Sequence, residues 1–309
     1  MSAKKHRSLY KRIFKDYALM WAMVVGVVFY KYLYHLEGLI IYSLFIMISF
    51  AYTKVHPREI RIEPLHYVLF AAQWVVGLLI YFVLEPFNPI LAQGLALITL
   101  TPTATSATVI TMMLGGSIAF VTSFLIPCNI LISLIAPILL GTLYPDAGAS
   151  YWSTVLAILA EVSTLLILPL ALVWTLRFTL PKVHDALARR ATYTFYVWAF
   201  AVAIIAAKTV HTIVESPDLT LQNTAGYFLA TMILAMTLYY IGQKSGAYLG
   251  GQRVSGRQAL GQKNTVLAIW IAYSFMDPKV GLIPSFYVIC QNILNSLELA
   301  IYSREHPDE

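Results

Sequence analysis

An all-α polytopic membrane protein with ten transmembrane helices is the fold class that this sequence predicts, and three observations carry the prediction. Hydrophobic residues make up 59% of the 309 residues and charged residues 12%, at a mean hydropathy of +0.71, whereas a soluble domain is far more charged. Apolar stretches of roughly 20 residues, the length a helix needs to cross hydrocarbon, recur along the whole chain. The basic residues fall between those stretches in an alternating pattern.

Residues 1–16 are polar and basic and precede a long apolar stretch that further spans follow, so a retained first span is expected rather than a cleaved signal peptide. Spans are expected near 17–36, 38–53, 65–84, 90–114, 118–142, 151–175, 193–214, 222–243, 258–276 and 281–302. The second is the shortest, because Glu37-Gly38 separates it only thinly from the first. A cytoplasmic N-terminus puts Lys4, Lys5, Arg7, Lys11, Arg12 and Lys15 inside, then Lys54, Arg58 and Arg61 after the second span. Arg177, Lys182, Arg189 and Arg190 follow the sixth, Lys244, Arg253 and Arg257 the eighth, and Arg304 opens a cytoplasmic tail at 304–309. Only Lys279 falls in an outer loop, and those loops carry Glu37, Glu85, Asp146, Glu215, Asp218 and Asp277. The positive-inside bias therefore accounts for the net charge of +6, and no nucleic-acid partner is expected. The expected setting is the cell membrane, with lipid around the spans and both termini in the cytoplasm. Cys128 and Cys290 lie inside apolar segments, where cysteine behaves as a small buried hydrophobe, so neither a disulfide nor a zinc site is expected.

Two spans carry polarity in their interior. Thr101-Pro102-Thr103-Ala104-Thr105-Ser106-Ala107-Thr108 interrupts the fourth, and Gly261-Gln262-Lys263-Asn264-Thr265 interrupts the ninth. Lipid offers a loosened backbone no hydrogen bonds, so such stretches persist only packed in protein or lining a polar cavity. Interrupted spans at corresponding positions of two halves point to a transporter's substrate site. A repeat is visible beside them: Asn129-Ile130-Leu131-Ile132-Ser133-Leu134 in the fifth span matches Asn292-Ile293-Leu294-Asn295-Ser296-Leu297 in the tenth at five of six positions. Two halves of five spans, 17–149 and 150–303, enter the membrane from opposite sides, which predicts a 5+5 inverted repeat.

Lys263 is the sharpest chemical signal. A lysine near a span's centre costs about 2.5 to 3.5 kcal/mol on insertion scales and needs a partner or a wet cavity. The bland alternative is a ninth span that starts later, with Lys263 snorkelling to the interface. Gly261 loosens the helix, and Gln262, Asn264 and Thr265 surround the lysine, which favours the functional reading. Glu161, at the middle of the sixth span, has two readings: an ion pair with Lys208 of the seventh, which is the preferred one, or a proton-titrating group facing the cavity. Gln73, Asn129, Gln291, Asn292 and Asn295 are amides on spans that flank the interruptions and suggest a polar-lined centre, although each singly fits a helix-joining role. Pro102, Pro127, Pro137 and Pro284 are expected to kink or break their helices. Gly242 to Gly256 reads as a flexible cytoplasmic loop. No metalloprotease, phosphate-loop or Ser/His/Asp pattern is present, so no enzyme is expected.

These residues resemble the bile acid:sodium symporter superfamily. Its first crossing helix reads approximately Pro-Gly-Gly-Thr-Ala-Ser-Asn-Val, against Pro102 to Val109 here, and its second approximately Glu-x-Gly-x-Gln-Asn-Ser, against Ala259 to Thr265. The resemblance covers nearly the whole chain in span number and orientation. It implies ten helices in which spans three to five and eight to ten form a core, and one, two, six and seven a panel. It also implies that Gln73 matches a sodium ligand and Asn264 an asparagine beside the substrate. The other sodium ligands depart: the Ser-Asn pair becomes Ala107-Thr108, the glutamate becomes Ala259 and the crossing-helix glutamine becomes Lys263. A carboxylate is lost and a cation gained, so a fixed ammonium stands in the place of bound sodium.

The expected function is alternating-access transport of a small organic anion, held by two half-helix N-termini, Lys263 and the polar residues Gln262, Asn264, Thr265, Thr105 and Thr108. Coupling is expected to be to protons, through Lys263 or Glu161, or absent. No cofactor is expected. A sodium symporter with ligands moved to Thr105, Thr108 and backbone carbonyls is the alternative within transport, and a non-transporting receptor or scaffold is the alternative of another class.

Overall fold

The computed structural model describes residues 18–54, 56, 58, 60–143 and 150–305. The basic residues expected at 1–16, Asp146, and 306–309 of the tail lie outside them. The described chain is almost entirely helical, and among the described residues there is no strand beyond one isolated β-bridge.

The helices are α1 (Ala18–Val28), α2 (Tyr30–Leu33), α3 (Leu39–Thr53), α4 (Pro64–Leu84), α5 (Pro89–Leu100), α6 (Ser106–Met113) and α7 (Ile118–Leu143). They continue as α8 (Tyr151–Thr179), α9 (Pro181–Arg189), α10 (Thr194–Glu215), α11 (Leu221–Leu249), α12 (Arg253–Gly261), α13 (Thr265–Phe275) and α14 (Leu282–Glu305). Among the described residues six helices are long and apolar enough to cross a membrane, or up to seven if the pair Tyr30–Leu36 and Leu39–Thr53, bent by 63°, is one span. Their apolar residues face outward as well as inward. On α11, Tyr227, Thr231, Leu234 and Leu238 are buried while Leu229, Ile233, Met236 and Tyr240 are exposed on the opposite face. A helix apolar all round belongs in lipid, and several such helices make this a multi-pass membrane protein by length and composition.

Starts are marked by local chemistry. Pro64 and Pro89 occupy first-turn positions where no N–H is needed, and the Asn88 side chain accepts from the Leu91 N–H at 3.0 Å. Of the prolines expected to disturb helices, only Pro102 lies in a break. Pro127 and Pro137 sit inside the continuous α7, and Pro284 falls in the first turn of α14, where its missing N–H costs nothing.

The helices pack in two groups. One is α1–α3 with α8–α10; the other is α4–α7 with α11–α14. They meet along α7 against α8, one of the most extensive helix pairs, and in an apolar cluster that joins Ile40, Leu44 and Ile48 of α3 and Val162 and Leu166 of α8 to Leu125 and Ile126 of α7 and Val266, Ile269 and Trp270 of α13. A second cluster lies within the latter group, around Leu69, Ile98, Phe124, Leu238 and Tyr287.

The stretch from Gly242 to Gly256 is a correction. It is not a flexible loop but, among the described residues, a close contact of α11 against α12. A Cβ on Gly242 would lie 2.3 Å from the carbonyl oxygen of Gly256, and one on Gly256 would lie 2.6 Å from that of Gly242. The glycines are there because two backbones touch, the small-residue packing that replaces hydrophobic drive inside a bilayer.

Candidate functional site

The two polar interruptions, some 160 residues apart, meet. Helix α5 ends at Leu100 and α6 restarts at Ser106; α12 ends at Gly261 and α13 restarts at Thr265. Thr103 and Lys263 form an antiparallel bridge where the two unwound stretches cross. The Ala104 N–H donates to the Gln262 carbonyl at 3.0 Å, and the Asn264 N–H donates to the Pro102 carbonyl at 2.8 Å. Each break thus satisfies part of the other's freed backbone, which permits unwound chain in a dry interior.

Side chains satisfy the loose helix ends. The Thr103 hydroxyl donates to the Ala259 carbonyl at 2.5 Å, and the Tyr287 hydroxyl donates to the Gly261 carbonyl at 2.6 Å. Gln73 of α4 donates through Nε2 to the Leu100 carbonyl at 2.7 Å and the Thr101 carbonyl at 3.3 Å. The last carbonyls of both half-helices, their negative ends, therefore face the crossing.

Lys263 lies there, 0% exposed. Its Nζ donates to Gln73 Oε1 at 2.9 Å and its backbone N–H to Gln291 Oε1 at 3.2 Å. Among the described residues no carboxylate pairs with it. Burial and these partners rule out the snorkelling alternative. Gln73 Oε1 therefore faces a cation already present in the chain. Among the described residues no group of three or more His, Cys, Asp or Glu could hold a metal ion.

Gln262 organises the other side of the crossing. Its Nε2 donates to the Ser106 hydroxyl at 2.9 Å, while its Oε1 accepts from Asn295 Nδ2 at 2.8 Å and from the Tyr239 hydroxyl at 3.3 Å. The Tyr239 ring packs so closely on Gly261 that a Cβ there would lie 2.3 Å from it. Asn264 caps α13, accepting from the Leu267 N–H at 3.3 Å, and Thr265 is buried behind it. Thr105 stands at the start of α6, half-buried, and its carbonyl accepts from the Thr108 hydroxyl at 2.8 Å. The breaks therefore bring the N-terminal ends of α6 and α13, with Ser106 and Asn264, to the crossing that contains Lys263.

Gln73, Gln262, Lys263, Asn264 and Asn295 thus come together, with Thr265 buried beside them, whereas Thr105 and Thr108 bond to each other at the start of α6. Asn129 does not join them by any hydrogen bond; it donates to its own helix at the Leu125 carbonyl, 3.0 Å away, and lies beside the buried Tyr52 hydroxyl. Asn292 is half-buried and likewise bonds within its helix, to the Val288 carbonyl at 2.8 Å. Glu161 is a second correction. Lys208 pairs with Glu37 rather than with Glu161 and lies 5.3 Å from the centre of the Tyr273 ring. Glu161 itself is exposed in a groove between α3 and α8, with no bond to any residue of the crossing.

Sequence reasoning missed Thr103, Ser106, Tyr239 and Tyr287 as partners of the crossing. It also missed the ion pair of Arg257 with Glu298, which extends the polar network toward the end of α12 that Arg253 begins. Glu298 accepts from Gln258 Nε2 at 2.7 Å, and Arg257 lies 5.4 Å from the centre of the Tyr239 ring. A carboxylate inside the tenth expected span was the available signal. The tyrosine hydroxyls carried none, since tyrosine is equally at home in interfacial belts. No family model matches the chain, and no curated protein matches its sequence.

Proposed function

We propose that the protein is a secondary transporter that moves a small organic anion by alternating access, on an arrangement resembling that of the bile acid:sodium symporters. In this reading α5 with α6, and α12 with α13, are the interrupted fourth and ninth of ten spans in a 5+5 inverted repeat, with both termini in the cytoplasm of a cell membrane. Helices α4–α7 and α11–α14 form the core, which moves against a panel of α1–α3, α8 and α10.

The observation that carries the proposal is the crossing, where two broken helices exchange backbone hydrogen bonds over a buried lysine held by Gln73. Backbone unwound at such a depth is a feature of transporter sites rather than of inert bundles. The N-termini of α6 and α13 supply positive dipole ends for an anion, with Thr105, Ser106 and Asn264 as its nearest hydroxyl and amide groups. Lys263 acts from behind, because it has no exposed surface: its ammonium fills the place between negative helix ends that a coupling cation would otherwise occupy. Transport is therefore coupled to protons through Lys263, or uncoupled, and independent of sodium. Glu161, remote from the crossing's bonds, has no part in it.

Uptake of labelled mono- and dicarboxylates into proteoliposomes, under separately imposed sodium and proton gradients, tests this. Lys263→Ala is expected to abolish uptake, whether or not a proton gradient drives it. Sodium-stimulated uptake that survives collapse of the proton gradient would refute the coupling. Failure of every tracer to cross, with ligand binding intact, would return the receptor reading.

A further inference from the structure

Glu161 is the eleventh residue of α8, about 15 Å along a helix that rises 1.5 Å per residue, which is half of a hydrocarbon core about 30 Å thick. It shares an exposed face with Thr164, Leu168 and Leu172, whose apolar members look outward along the same stripe. Among the described residues no Lys, Arg or His pairs with it. A lipid-facing carboxylate at this depth is costly and needs a cover.

The surroundings define that cover. Between α3 and α8 lies an open groove of about 460 Å³, lined by Ile41, Tyr42, Phe45, Ala160, Glu161, Thr164 and Leu165. Its walls are aliphatic and aromatic, with one acid. Tyr42 and Phe45 line it with aromatic rings, a residue type whose faces attract cations, and the acid supplies the opposite charge. A lipid headgroup amine lies at the interface, about half the hydrocarbon thickness away, and cannot reach.

We infer that the groove between α3 and α8 is a binding site, opening to the bilayer, for a lipophilic organic cation that ion-pairs with Glu161. Such molecules partition into the membrane, so they arrive along the groove rather than through the crossing. The ammonium or phosphonium replaces the missing counter-ion, and its apolar substituents fill the space over Ile41, Phe45 and Leu165. This inference does not rest on the transport reading.

Tetraphenylphosphonium, with tetraphenylborate as an anion of the same shape, tests it by equilibrium dialysis against the purified full-length protein in detergent. Saturable binding of one phosphonium per chain is expected, with no competition by tetraphenylborate. Glu161→Gln is expected to weaken it about tenfold or more, the equivalent of about 1.4 kcal/mol, and Glu161→Asp to retain most of it. Ala160→Trp, a groove-filling change at an exposed position, is expected to abolish binding while leaving the elution volume and thermal unfolding midpoint unchanged. Absence of saturable binding to the wild type, equal binding by Glu161→Gln, or equal binding of tetraphenylborate would overturn the inference. So would a dimer that dissociates on Glu161→Gln, because a second copy of the chain would then be the cover.

Discussion

Lys263 and Gln73 form a buried pair whose energetics can be worked from the geometry. The ammonium is 0% exposed and, among the described residues, has one side-chain partner, Gln73 Oε1, at 2.9 Å. Gln73→Leu removes that charge-assisted bond, at a cost of about 2 kcal/mol, and frees the carbonyls of Leu100 and Thr101 at about 1 kcal/mol more. Lys263→Met eliminates the buried cation together with its desolvation. It leaves Gln73 Oε1 only the weak Cys128 thiol at 3.9 Å, for a net loss of about 1 kcal/mol. The double variant gives up the carbonyl contacts alone, about 1 kcal/mol. The two changes are therefore expected to be non-additive by about 3 kcal/mol, with the double variant more stable than Gln73→Leu alone. The assay is unfolding of the purified protein in mixed SDS and dodecyl maltoside micelles, followed by circular dichroism and tryptophan fluorescence. Additivity to within about 0.5 kcal/mol would show that the two side chains do not share a site and would refute the reasoning.

Other outcomes follow from the same structure. Gly242→Ala sets a methyl 2.3 Å from the Gly256 carbonyl oxygen, where only backbone can yield, and is expected to lose about 3 kcal/mol or fail to yield monodisperse protein on size exclusion. Arg257→Met strips Glu298, whose side chain is 16% exposed, of its cation and is expected to cost about 2 kcal/mol, with Arg257→Met combined with Glu298→Leu recovering much of it in the same unfolding assay. Asp218, in the loop before α11, has its carboxyl held below the ordinary 3.8 by a hydrogen bond from Lys279. A depressed carboxyl stabilises the fold fully above its unfolded value and loses that contribution as pH falls through the lower folded one. Asp218→Asn is therefore expected to flatten the acid limb of the thermal midpoint below about pH 4, and to do so less at high salt.

Much of the site could be read without coordinates, for a local reason. Thr101 to Thr108 and Gly261 to Thr265 violate the apolar pattern of their own spans, and lipid's inability to hydrogen-bond makes such a violation meaningful residue by residue. Lys263 and Gln262 stood out in the same way. Asn129 and Asn292 stood out equally and proved to bond within their own helices, because an amide can satisfy itself on the preceding turn as readily as across a crossing. Glycine misled for a related reason: Gly242, Gly246 and Gly256 suit a loose loop and a backbone contact alike, and only the neighbour distinguishes them.

By itself, the sequence determined that the chain is helical and membrane-spanning, and where its helices lose their regularity, since hydropathy and helix breaking are properties of adjacent residues. Tertiary structure alone decided the partnerships: Thr103 with Lys263, Gln73 with the ammonium, Lys208 with Glu37 instead of Glu161, and Tyr239 against Gly261. In a medium without competing water, any buried polar group bonds to whichever partner the packing brings within about 3 Å, and that choice among distant helices is not written in any one of them.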